Sequence, residues 1–522
     1  MKTRIILLIA VAAVLSLASC SKLLDIPQKG VLNFETYYQT NEEIQAAAIP
    51  MYSTLKSNAY YFKLAKEMFT DDVYCGGSAR NDNIDLEKMN EYTFDAEESY
   101  IQGMFEALYS IIYRANVILG HVDEEYSDLA KQIRAEAKVF RAYSYFELIT
   151  MWGNPPIVDH ELAPSEYNVP NGSTEELWAL LEKDLTEAIA SGKLAQKDGL
   201  NDRECWKVTL QFAQALLGKA YLWMATALND DSYYAKSAAQ FDEVVKSGKY
   251  DLYSGDYSQL RRDKHNCEII FGSNTIHDEN NGWNNMSMFD LMVGWRSDRM
   301  YYGSCPIITY SWGFRIPRKE LYNAFVANEG ADGYRLNETM KTYQQIQDLW
   351  GAGENAGDTM IGDGYFFYKQ MAYQDDVEAG TMGFGNVCDF IWMRYAEVLL
   401  CGAEAHLKAG NTDKAQNYID QIRTRAKLAS KPVTMDVIKT EKRLELCTEG
   451  TRFQDLLRWG DAYEAMKDNG STYPVMTSNG VVTYQSCGNA SYGFKQNKNE
   501  RLPYPATEMR LNSVIKQNPG WE

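Results

Sequence analysis

The sequence predicts a mainly α protein: a tetratricopeptide-like helix-pair frame that carries a large irregular, loop-rich ligand-binding subdomain. Three observations predict it. The stretch Arg134 to Pro156 is apolar around nearly its whole circumference. Pairs of amphipathic segments joined by short Gly, Asn or Asp turns recur at both ends of the chain. Between about residues 250 and 390 helical periodicity fades, and Gly, Asn, Tyr and Trp dominate.

In the central stretch, Val139, Phe140, Ala142, Tyr143, Tyr145, Phe146, Leu148, Ile149 and Met151 fall on almost every side of a 3.6-residue helix. Only a narrow polar strip through Arg134, Lys138 and Arg141 remains. Such a helix must be packed from several directions. Gly153 tolerates positive φ at a helix end, and Pro155-Pro156 force an extended exit.

The remaining elements follow in chain order. Asn41–Ser57 reads as a helix with Asn41 as N-cap and Glu42 and Glu43 in its first turn. A second helix runs from Ser99 to Leu119, and the intervening 70–85 has the Gly, Asn and Asp content of a long loop. After the Pro-rich crossing from Pro155 to Pro170, Ser173 or Thr174 with Glu175 and Glu176 marks another helix start. An antiparallel pair is expected at Thr209–Leu228 and Ser232–Ser247. Another follows at Arg394–Ala409 and Asp413–Leu428, with Gly402, Ala403 and Ala405 where helices would approach closely. Helices at Thr434–Cys447 and Arg452–Trp459, a polar loop from Asn469 to Asn499 and an extended tail complete the chain. The resulting division is 1–19 leader, 20–250 helical region, 251–390 irregular insertion and 391–522 C-terminal helical and loop region.

A net charge of −19 over 522 residues disfavours phosphate backbones and anionic lipid, so no nucleic-acid partner is expected and neutral or cationic ligands fit better. The 36 Tyr and 11 Trp are many for an otherwise ordinary globular composition and call for an explanation. Lys2 and Arg4 precede an apolar run from Ile5 to Leu17 that is too short for a comfortable membrane span. It closes on Leu17-Ala18-Ser19-Cys20, which resembles a bacterial lipobox and implies cleavage before Cys20 and acylation of that cysteine.

The other cysteines are scattered without a C-x-x-C pair, and the five histidines form no triad or metal constellation, so neither cofactor nor metal is expected. Cys401 and Cys447 read as small buried hydrophobes. Glu441, Arg443, Glu445, Glu449 and Arg452 resemble a catalytic carboxylate cluster, but on a helix they read as a solvated or frame-stabilising ion-pair face. The acidic runs at 81–85 and at Asp358 and Asp363 lack EF-hand spacing.

Several stretches together resemble one family. They are the lipobox at Cys20, FRAYSYFELITMWGNPPIV from Phe140, IPRKELYNAF from Ile316, RYAEVLLCGAEAHLKAG from Arg394, EKRLELCTEGTRFQDLLRWG from Glu441 and the closing LPYPATEMRLNSVIKQNPGW. In this order they are similar to the SusD/RagB outer-membrane nutrient-binding lipoproteins. The resemblance implies a lipid-anchored protein on the outer face of the outer membrane. Such a protein captures an oligosaccharide, or in some members a peptide, and passes it to a SusC-like TonB-dependent transporter without performing chemistry. It also implies that the helices form the frame and the irregular part carries the ligand site.

A pyranose offers a C–H face for aromatic stacking and a rim of hydroxyls that need donors and acceptors. Trp283 among Asn280, Asn281, Asn284 and Asn285 fits that pattern. So does Trp295-Arg296 with Asp298, Arg299, Tyr301 and Tyr302 close behind. The loop from Tyr74 through Asn81 to Asn83 is a third candidate, from the N-terminal half. A glycoside hydrolase is the enzyme alternative, but it needs two carboxylates about 5 to 10 Å apart in a cleft, and no such paired motif stands out. If the central helix is structural, Phe146→Asp lowers folded yield before it alters any specificity; soluble yield and melting temperature measure this, and a normally folding variant contradicts the placement.

Overall fold

The computed structural model describes residues 37–278, 280, 286–351, 358–378, 381 and 385–522. Its frame is the expected array of helices. The central helix spans Asp128–Trp152, starting earlier than its apolar pattern because Ser127 caps it by accepting from the Ala130 N–H. Gly153 ends it at φ +82°. Ser99–His121 and Thr174–Ala190 pack along it, followed by Leu210–Ala227 and Ser232–Lys246. The helix pair Tyr395–Lys408 and Thr412–Arg425 then lies on Ser232–Lys246. Gly402 allows both approaches, since a Cβ there would sit 2.8 Å from the Tyr418 ring within the pair and 3.3 Å from Phe241 of Ser232–Lys246. One continuous hydrophobic core runs through the frame and into the insertion.

Three local expectations change. The first helix, Asn41–Ser57, is capped by Thr40 in a capping box with Glu43, while the Asn41 amide oxygen accepts from Ser127. Residues 70–85 are not all loop: Val73–Gly76 is a buried strand, and a helix follows at Ile84–Glu91. Within the polar C-terminal stretch, Thr472–Thr477 and Val482–Ser486 form a hairpin around Asn479-Gly480, and Thr359–Ile361 pairs with its first strand. The Gly480 N–H closes the turn on the Thr477 carbonyl at 2.9 Å, and the left-handed position falls on Gly480, at φ +81°, where a glycine carries no steric penalty.

Of the central helix's polar strip, Arg134 and Lys138 stay partly exposed and Arg141 is dry. Arg141 is buried and donates from Nε and Nη2 to the two Asp184 oxygens, each at 2.7 Å. Glu147 accepts from Lys66 at 2.9 Å. At the neck of the insertion, Ile269–Ser273 pairs antiparallel with Phe390–Arg394, so the chain enters and leaves through one ladder.

Below that ladder lies a buried ion network. Arg394 Nη1 reaches Glu268 at 2.6 Å and Glu445 at 2.7 Å, and its Nε and Nη2 each reach Glu449 at 2.7 Å. Arg335 bridges Glu329, Glu441 and Glu445, Arg425 joins Glu268 to Glu445, Arg423 meets Glu441, and Lys369 meets Glu449. The C-terminal cluster is therefore frame-stabilising and dry rather than a solvated face. Burial alone would raise the Glu445 carboxyl, but Arg425, Arg394 and Arg335 outweigh it and hold it well below the usual carboxylate range. Against the same burial, Arg394 and Lys369 lower Glu449 to about 2.

Arg394→Met leaves Glu268, Glu445 and Glu449 without their shared cation, and we expect a loss of about 3–5 kcal/mol, read as a lowered urea midpoint. Because Glu449 is depressed in the fold, its contribution is complete above its unfolded value of about 4.3 and fades as pH falls toward 2. The urea midpoint should therefore drop between about pH 4.5 and 2, and less steeply in Arg394→Met than in the parent protein.

Candidate glycan-binding face

The strand Val73–Gly76 pairs antiparallel with Phe314–Pro317, in the register Tyr74 to Ile316 and Gly76 to Phe314. This ladder carries the Gly77–Asp82 turn to the insertion. A side chain at Gly76 (φ +88°) would collide with the Gly313 carbonyl oxygen, and the Gly77 N–H donates to that same oxygen at 2.9 Å. The N-terminal loop and the stretch before IPRKELYNAF, two separate expectations, thus form one surface.

Arg296 holds that surface together. Its Nη1 donates to Asp82 at 3.2 Å and to the Trp312 carbonyl at 2.7 Å, while Nε and Nη2 donate to Asp298 at 3.0 and 2.9 Å. The guanidinium bonds hold the Asp298 carboxyl below its ordinary range. Asp82 also accepts from the Ser78 N–H at 2.6 Å and hydroxyl at 2.8 Å. Backbone bonds from Ser297 to Thr309 and from Ser311 to Trp295 fold 295–311 back on itself, and the Trp312 N–H reaches the Leu291 carbonyl at 2.8 Å.

Around this scaffold three rings face solvent: Tyr301 is 57%, Tyr310 67% and Trp312 43% exposed. Trp312 stands edge-on to Phe314 at 6.5 Å, which fixes the indole without covering it. Asn81 is exposed beside Asp82 at φ +66°, its N–H bonded to Glu87 at 2.8 Å.

The other candidates lie deeper. Trp295 is only 4% exposed: its indole N–H donates to the Phe367 carbonyl at 3.0 Å, and its ring packs on Tyr302 and Phe366. Tyr302 is buried beside it. Both support the face from below, as part of the continuous core that reaches into the insertion. Tyr74 is buried, with the Arg318 guanidinium 4.1 Å above its ring, and burial lifts its hydroxyl to about 12 despite that cation. Trp283, Asn285 and Cys20 lie outside the described residues. Tyr310 and Trp312 were within the aromatic-rich stretch, but composition does not distinguish an exposed ring from a buried one. Among the described residues no group of three or more His, Cys, Asp or Glu is placed to hold a metal.

Two family descriptions match successive parts of the chain: "Starch-binding associating with outer membrane" over residues 29–194 and "SusD family" over 274–521. The chain belongs to the SusD/RagB family. Among curated relatives, a SusD-like protein P25 of Formosa agariphila is 24% identical over 98% of both chains. A SusD-like protein of Bacteroides ovatus is 23% identical over 88% of this chain and 83% of its own length. Among solved structures, a laminarin-binding SusD-like protein is similar at 27% identity and a TM-score of 0.75, over 92% of this chain and 99% of that one. Surface glycan-binding protein A of Bacteroides thetaiotaomicron, solved with laminarihexaose, shares the fold at 21% identity and a TM-score of 0.71, over 91% and 99% of the two chains. The helical SusD fold therefore spans nearly the whole chain.

The burial pattern separates two tryptophans. Trp295→Ala removes a fully packed, hydrogen-bonded indole and should cost about 3–5 kcal/mol of stability, whereas Trp312→Ala should change stability by less than about 1 kcal/mol. Thermal unfolding of both variants checks this ordering.

Proposed function

We propose that this protein is an outer-membrane lipoprotein, acylated at Cys20 and facing outward, that binds an oligosaccharide and delivers it to a SusC-like TonB-dependent barrel transporter. The observation that carries the binding part is the exposed trio Tyr301, Tyr310 and Trp312, set on a scaffold that Arg296 braces through Asp82 and the Trp312 carbonyl. Rigid aromatic faces beside Asn81, Asp82 and Asp298 offer both requirements of a sugar, a stacking plane and a polar rim. Trp295 and Tyr302 then act as supports for that plane, and Arg296 as its brace. The family description names starch and outer-membrane association, and one relative is named for laminarin. Those names support a glycan over a peptide, and binding over catalysis.

Affinity electrophoresis of residues 21–522 through gels containing starch, laminarin and other polysaccharides tests the reading. At least one glycan should retard the protein, and the Tyr310→Ala/Trp312→Ala double variant should lose about 2 kcal/mol, roughly thirtyfold in Kd. Retardation by none of them, or equal retardation of the variant, overturns the proposal. Release of reducing ends from a bound glycan would instead favour a hydrolase, and displacement of the glycan by peptides would favour a peptide-binding member. Labelled palmitate should enter the full-length protein in cells and fail to enter Cys20→Ala.

A further inference from the structure

The short helix Met288–Val293 has two flanks. On one, the Leu291 carbonyl anchors Trp312 and with it the aromatic face. On the other, Met288 and Phe289 line a separate cavity of about 320 Å³ between the insertion and the first two helices of the chain. That volume lies within the range of small-ligand sites, roughly 300–1,000 Å³. Met286 and Phe390 extend its apolar wall, while Lys56, Ser53 and Ser57 of the helix Asn41–Ser57 supply polar groups.

The charges at this cavity do not cancel. Arg261 is matched by Asp290, with Nη2 at 2.7 Å from its oxygen, and Asn386 completes that carboxylate at 2.8 Å. Nearby, Lys264 and His265 share Asp389 at 3.8 and 3.4 Å. Lys56 is left with a single bond, from Nζ to the Asn274 carbonyl at 3.1 Å, and no carboxylate of the described residues lies within ion-pair distance of it. Burial, with a smaller contribution from Lys264, lowers its pKa, although Asp389 acts in the opposite direction. In a chain of net charge −19, an ammonium facing a cavity without a carboxylate partner runs against the overall composition. An anion entering the cavity would supply what the protein does not.

We propose that this cavity is a second binding site, for an acidic sugar residue whose carboxylate pairs with Lys56 while its C–H face lies against the Met288–Phe289 wall. That the anion belongs to a sugar rests on the glycan reading above; the demand for an anion rests on Lys56 alone.

Isothermal titration of residues 21–522 with oligogalacturonate and oligomannuronate, at low and high salt, tests it. We expect binding of at least one oligouronate, weakened by salt, reduced at least tenfold in Lys56→Met, largely retained in Lys56→Arg and unchanged in Tyr310→Ala/Trp312→Ala. Neutral oligosaccharides should show the reverse dependence on these variants. Equal melting temperatures for Lys56→Met and the parent protein make the loss local. Absence of oligouronate binding at millimolar ligand, equal binding by Lys56→Met, or binding of a sulfated oligosaccharide or an acidic peptide in place of the oligouronates overturns the proposal. Loss of neutral-glycan binding alone would strike the aromatic face and leave this site standing.

Discussion

The guanidinium of Arg394, fully buried between Glu268, Glu445 and Glu449, is the contact on which the relation of insertion to frame depends. Glu268 precedes the strand that enters the insertion, Arg394 ends the strand that leaves it, and Glu445 and Glu449 belong to the C-terminal region. Around them Arg335 and Arg423 bring in Glu329 and Glu441, while Arg425 and Lys369 add to Glu268, Glu445 and Glu449, so five cations face five carboxylates with no net charge in the dry interior. An apolar plug of the same shape would be at least as stable, because desolvating charges costs nearly what their attraction returns. What the ion set adds is register. A ladder shifted by one residue would leave Arg394 away from three carboxylates at once, whereas an apolar plug would tolerate the slip.

The frame was legible because its information is local. The all-round apolar pattern of the central helix, Gly153 at its end and the Gly-Asn turn between the later helices each act within a few residues, and each stands where it was expected. Cys401 and Cys447 are buried as small hydrophobes. The Asn479-Gly480 hairpin was equally local and is the clearest signal left unread, its flanking residues having passed for a polar loop. The strand Val73–Gly76 is another matter, since its partner lies some 240 residues away and nothing in VYCG announces it.

The candidate face was legible as a region and not as residues. Trp295 and Trp312 occur in the same aromatic-rich stretch, yet one is enclosed by Tyr302 and Phe366 and the other is left open. That difference is made by how the stretch folds back to set Tyr302 on Trp295 and by Phe366 arriving from elsewhere in the fold. The same holds for the C-terminal charged cluster, which looked like a helix face and became an interior once Arg335 and Arg394 were brought to it. Charge pattern along a helix reports spacing, and burial is decided by what covers it.

The bond between Asp82 and Arg296 spans 214 residues. A chain leaving the ribosome presents the Gly77–Asp82 turn long before the residues it must meet exist, and closing so long a loop comes late in folding. The face bearing Tyr310 and Trp312 is therefore a property of the finished molecule, and neither half of the chain can display it. Recognition at that face would double as a proof of assembly: a misfolded or truncated copy in the cell envelope would be silent toward its ligand, not a weaker competitor for it.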